Sequence, residues 1–132
     1  MTLFVLMSHR LGEDQVKEAR GCWGVQSFHH LPEELQAVWS RVDPAGPLNI
    51  EPFRPILAWL EGRAVPGDLV LVQGEYGLTV FFVLACWRLG LRPLYAASER
   101  VYEEERGPNG TILRRHCFRH VNFREYLRGE NG

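Results

Sequence analysis

Cysteine is scarce in this 132-residue sequence: Cys22, Cys86 and Cys117 are an odd number with no CxxC spacing. That excludes a disulfide framework, offers no zinc pattern and suits a reducing compartment. A long hydrophobic run is missing too. The most apolar stretch, Leu78 to Trp87, is interrupted by Thr79 and falls short of the roughly 20 residues of a membrane-spanning helix, so a soluble protein without a membrane partner is expected. Met1 to Met7 lacks the basic flank and small-residue cleavage site of a signal peptide, so it reads as a buried strand in a cytoplasmic protein. Net charge is nearly absent at −1, which removes the broad basic face that gripping duplex nucleic acid demands. Neither a Gly-x-Gly-x-x-Gly fingerprint nor a Gly-Lys-Ser/Thr phosphate loop occurs.

What is present fits one domain spanning residues 1–132. Hydrophobic residues make up 45% of the chain, enough for a single core, and no repeat or low-complexity tract divides it. The balanced charge conceals an asymmetry. Residues 1–75 carry six basic and ten acidic side chains, a net of −4, whereas residues 76–132 carry nine and six, a net of +3. Lys17 is the single lysine; the other 14 cations are arginines, whose planar fork suits bidentate phosphate contacts.

Leu3 to Met7 is a continuous apolar run, as in a parallel strand buried on both faces. Glu13 to Arg20 has helical composition with two acids in its first turn and Gly21 beyond its end. A strand over Gln26 to His30, a helix from Pro32 to Ser40 and a helix from Pro55 to Gly62 follow. Leu69 to Val72 is the next buried strand, leading through Gln73-Gly74-Glu75-Tyr76-Gly77 into an apolar helix over Leu78 to Leu89. Pro93 to Ala97 is a third core strand, after which the chain becomes charged at Ser98 and Glu99. Val101 to Arg106 and Thr111 to Phe123 flank Gly107-Pro108-Asn109-Gly110, the pattern of a β-hairpin. This alternation predicts a three-layer α/β domain with a mostly parallel sheet and a C-terminal hairpin.

Open α/β sheets bind ligands outside the carboxyl ends of their strands. Those ends are Ser8 and His9, then Gln73 and Gly74, then Ser98, Glu99 and Arg100. Gly74 and Gly77 permit close backbone approach, and the following helix N-terminus offers amides to a phosphate; a tight turn needing glycine for geometry alone is the alternative. His9 can serve acid–base chemistry near neutral pH. On an alternating strand Arg114, His116, His120 and Arg124 share a face with Ile112 and Phe118, which suits a ligand with several phosphates or a merely solvated surface. His116 and Cys117 point apart, so no metal site is expected, and Glu103 to Glu105 read as a solvated flank.

Five ordered blocks carry a resemblance: Leu6-Met7-Ser8-His9-Arg10-Leu11, Leu31-Pro32-Glu33-Glu34-Leu35-Gln36, Val70 to Gly77, Ala96-Ala97-Ser98-Glu99-Arg100, and Phe118-Arg119-His120-Val121-Asn122-Phe123-Arg124. Over nearly its whole length the chain resembles the small CRISPR-associated proteins of the Csx-twenty type. These consist of little more than one CARF domain, a Rossmann-like module that recognises cyclic oligoadenylates in type III CRISPR defence. The resemblance implies a homodimer binding cyclic tetra-adenylate across its two-fold axis, and a ring nuclease that needs no metal or other cofactor. It places Ser8, Gly74, Glu75, Tyr76, Gly77, Ser98, Glu99 and Arg124 among ligand contacts. His9 or His120 would move the proton, Gln73 hold the phosphate and Arg100 neutralise charge as the ribose 2′-hydroxyl attacks. The family pattern is not followed where Ala96-Ala97 precede Ser98 and where Asn122 replaces Arg. A sensor or sponge that binds the ring without cutting it is the alternative, and 132 residues leave no expected room for a separate effector domain.

Overall fold

Leu3, Phe4, Val5 and Leu6 carry no polar side chain because both faces of their strand are covered. The computed structural model describes residues 1–129, with the backbone alone at His116. The chain runs β1 (Thr2–Leu6), α1 (Glu13–Cys22), β2 (Ser27–His30), α2 (Glu33–Trp39), a 3-10 turn at Glu51–Phe53, and α3 (Arg54–Glu61). It continues through β3 (Leu69–Val72), α4 (Tyr76–Arg88), β4 (Arg92–Arg106) and β5 (Ile112–Glu125). The sheet order is β2-β1-β3-β4-β5, parallel throughout except for β5, which returns antiparallel to β4. The fold is therefore mixed α/β with a mostly parallel sheet and a C-terminal hairpin. Among the described residues no helix is long and apolar enough to cross a membrane.

Strand alternation sorts the core into two layers. Leu3, Val5, Met7, Leu69, Leu71, Leu94 and Phe123 pack with Ala19 of α1. Phe4, Leu6, Val70 and Val72 face the other way, onto Trp39, Ile56, Leu60, Phe82 and Cys86 from α2, α3 and α4. Burial among these pushes the Cys86 thiol up to about 12, so it behaves as a small hydrophobe. From β1 the chain moves to β2 on one side and later to β3 on the other. Strand order thus reverses between β1 and β3, which opens a crevice at their carboxyl ends.

Two differences from the sequence reading lie in the hairpin. The strand expected to end after Ala97 does not end there: β4 is continuous for 15 residues, because β5 pairs with it along almost its whole length. Ser98, Glu99 and Arg100 are therefore mid-strand and not a third strand end. Beyond Leu94 the pair leaves β3 behind and projects as a two-stranded arm. Glu99–Arg119, Glu104–Arg114 and Glu105–Arg115 pair across it, so Glu104 and Glu105 have the partners that the sequence reading did not find.

The second difference is a β-bulge. Ala97 pairs with Asn122 but Ser98 with His120, leaving Val121 unpaired. Simple alternation would set His120 and Phe123 on opposite faces; the extra residue brings them to the same one. It also separates His120 from Arg124, which pairs with Tyr95, so the expected shared face of His120 and Arg124 is not formed. The side chain of His116 lies outside the described residues.

Candidate functional site at the carboxyl ends of the strands

At the reversal point lies a cleft of about 280 Å³ lined by Met7, His9, Gln15, Gln73, Ala96, Ser98, Phe118 and His120. Each element contributes from a defined position. His9 follows β1, Gln15 stands in the first turn of α1, Gln73 follows β3, and the last four residues come from β4 and β5. Among the described residues the lining contains no carboxylate.

Gln73 sits where β3 and β4 part. Its backbone N–H donates to Leu6 O at 3.0 Å, and its own carbonyl accepts from Trp39 Nε1 at 2.9 Å. Its side-chain Oε1 accepts from Ala96 N at 3.0 Å, extending the β3–β4 ladder by one side-chain rung. Ala96 N–H can only donate, so the carbonyl end of the amide is fixed and the NH₂ end is what remains for a ligand. Gln15 is arranged the same way: Oε1 accepts from Gly12 N at 3.0 Å in a capping turn, which leaves its NH₂. Sequence reading passed over Gln15, although Gly12-Glu13-Asp14-Gln15 before a helical run is a legible capping pattern.

Glu18 is the other residue that sequence reading missed. Its carboxylate accepts from Phe123 N at 2.8 and 3.0 Å, from Trp23 Nε1 at 2.9 Å and from His120 Nε2 at 2.6 Å. Burial works to raise its pKa. The hydrogen bonds from Phe123, Trp23 and His120, together with the charge of His120, outweigh burial and hold it below the usual carboxylate value. Since an ionised carboxylate only accepts, His120 Nε2 carries the proton, and its Nδ1 is buried without a partner among the described residues. His120 lines the cleft, but one nitrogen is engaged and the other is shielded. His9, exposed at the rim, is the imidazole that solvent and ligand reach.

The glycine turn differs from the phosphate cradle expected of it. A Cβ on Gly74 would lie 2.8–3.0 Å from the Trp39 indole, so glycine is needed there to let that ring pack. Glu75 caps α4, its carboxylate accepting from Gly77 N and from Leu78 N. Those amides are thus occupied by the chain's own anion, which a phosphate would have to displace. Tyr76 is 92% exposed and lines a separate cleft of about 300 Å³ with Gln73, Gly74, Thr79, Tyr95 and Tyr126, on the three-helix side of the sheet. Ser8 is exposed and outside the lining of the main cleft, Glu99 faces Arg119 on the opposite side of the arm, and Arg124 points away with Tyr95. Of the twelve residues singled out from the sequence, the structure gathers His9, Gln73, Ser98 and His120 around one cleft, with Arg100 two ladder pairs further out. Among the described residues no three His, Cys, Asp or Glu side chains cluster as a metal would need.

Comparison with known proteins adds a family. The model described as "Uncharacterized protein MJ1673 family" matches residues 1–124. Uncharacterized protein MJ1673 of Methanocaldococcus jannaschii is 36% identical over 124 residues, which cover 94% of this chain and 95% of that protein. No solved structure matches.

Proposed function

The chain belongs to the MJ1673 family, and from the cleft just described we propose that it is a Rossmann-like, CARF-type ring nuclease of type III CRISPR defence that binds and cleaves cyclic tetra-adenylate. One observation carries the reading. Two glutamines have their carbonyl ends tied back to Gly12 N and Ala96 N, which leaves amide donors in a carboxylate-free cleft beside an accessible imidazole. Neutral donors without competing acids suit a phosphodiester.

The chemistry needs few groups. The ribose 2′-oxygen bonds to the adjacent phosphorus, the bond from phosphorus to the 5′-oxygen breaks, and a 2′,3′-cyclic phosphate and a 5′-hydroxyl result. His9 takes the proton from the 2′-hydroxyl, and the same proton returns to the leaving 5′-oxygen. Gln15 and Gln73 donate to the non-bridging oxygens as charge builds, and Arg100 adds positive charge at the mouth. His120 is a positioning residue held by Glu18. A cleft of about 280 Å³ has room for one nucleotide unit, so two copies about a common two-fold axis would each engage one of two opposite units of a four-membered ring.

Purified protein incubated with cyclic tetra-adenylate, with and without EDTA, tests this directly. Linear products ending in 2′,3′-cyclic phosphate are expected under both conditions, and His9→Ala should lower turnover at least tenfold with little change in binding. Tight binding with the ring recovered intact would replace the nuclease by a sequestering protein. Absence of binding would remove both.

A further inference from the structure

Antiparallel partners share a face, so the ladder from Ser98–His120 to Arg100–Phe118 carries one wall of the cleft outward along the arm. Phe118 lines that cleft and yet is 70% exposed. The Arg100 guanidinium lies over its ring, 5.5 Å from the centroid. Arg114, Arg115 and Arg119 each meet a glutamate across the arm, whereas Arg100 has no carboxylate partner among the described residues. A cation with no carboxylate partner among the described residues and an exposed aromatic ring therefore stand together at the cleft mouth. A phosphate alone would account for the arginine and leave the phenyl ring unexplained. A flat heteroaromatic group accounts for both, since it stacks on the ring and interacts with the guanidinium.

We propose that Phe118, braced by Arg100, is the nucleobase platform of this site, stacking a purine whose phosphate lies against Gln15 and Gln73. The inference deepens the nucleotide reading above and rests on it for the position of the phosphate. Stacking tolerates any base, and the larger purine face gains most. The platform supplies affinity and orientation; Phe118 takes no part in proton transfer.

AMP and ribose 5-phosphate are the probes, titrated by calorimetry and by NMR of the Phe118 ring into wild type, Phe118→Ala and Phe118→Trp, with sedimentation velocity on all three. AMP should bind about tenfold more tightly than ribose 5-phosphate and shift the Phe118 ring signals. Phe118→Ala should abolish that preference and Phe118→Trp keep it. Equal affinity for the two probes, or a preference that survives Phe118→Ala, overturns the platform. So does a dimer that falls to monomer in Phe118→Ala with the AMP preference intact, which would make the ring a contact between copies. Ring cleavage is read separately. A raised KM with unchanged kcat in Phe118→Ala supports the platform, and an unchanged KM overturns it while leaving the nuclease standing. An AMP preference lost in Phe118→Ala, in a protein that leaves cyclic tetra-adenylate whole, supports the platform and removes the nuclease.

Discussion

Gly74 shows how one residue type answers two different demands. Its backbone freedom invited a ligand, but the Trp39 ring occupies the space where a Cβ would go. Gly74→Ala should therefore cost about 1–3 kcal/mol by overpacking. The penalty should shrink in a Trp39→Phe background, because the two residues couple through contact; urea unfolding showing equal costs in both backgrounds would discard the packing explanation. Glu18 makes the opposite point. One glutamate among several in an acidic helix has no signature, since its partners His120 and Phe123 lie 102 and 105 residues away. Long-range satisfaction of this kind is invisible to local pattern. Glu18→Ala would leave three part-buried donors without their acceptor, and a loss of about 1–3 kcal/mol is expected in urea unfolding. The acid dependence has a definite sign. Its carboxyl is held below the ordinary value of 4.5 in the folded state, so the unfolded chain takes up the proton first. The contribution is complete above about pH 4.5 and fades as pH falls further, a loss that Glu18→Gln should flatten.

Among the elements, the buried parallel strands were the legible part. Leu69 to Val72 matches its expected bounds, and β1, α1, β2, α2, α3 and α4 fall within a few residues of theirs, because apolar runs and Pro/Gly punctuation report burial directly. The arm was not legible as one element. A ribbon exposed on both faces tolerates Glu and Arg at every position, so its sequence looks like the end of a core strand followed by a separate hairpin. Two strands without a covering layer are marginal in water. Hydrogen exchange across Val101–Arg106 and Ile112–Phe118 should accordingly run at least a hundredfold faster than in β1 and β3; equal protection would show that the arm is covered. The loop that bears His9 carries its own pH dependence. Leu11 N donates to His30 Nε2 at 3.4 Å, which requires a neutral ring, and burial with the nearby Arg10 charge lowers the His30 pKa below 6.5. The unfolded chain protonates first, so this contribution is full above about pH 6.5 and declines below it. Amide exchange at Leu11 should accelerate from pH 7 to 5.5, after correction for intrinsic rates, and the acceleration should vanish in His30→Ala.

For the molecule as a whole, strand order located the cleft. The reversal between β1 and β3 placed the crevice at His9 and Gln73 as the alternation implied, while the third expected end was lost when β4 ran on through Ser98. The charge balance of −1 spread as −4 and +3 also acquires a location, since the arginine-rich arm belongs to the second half. A ligand led by its phosphates should then bind roughly tenfold more weakly when salt rises from 50 to 200 mM. Affinity for cyclic tetra-adenylate indifferent to salt would argue that stacking alone holds it.

Val121, the unpaired residue of the bulge, is a phase shift of one in a pattern of period two. Everything on the arm beyond it inherits that choice: deleting Val121 would leave Ala97–Asn122 and Ser98–His120 paired with their faces unchanged, whereas one residue inserted between Ala97 and Ser98, opposite Val121, should turn Phe118, His120 and every second side chain outward from the cleft. The side of the sheet on which ligand meets arm is thus set by a count of one.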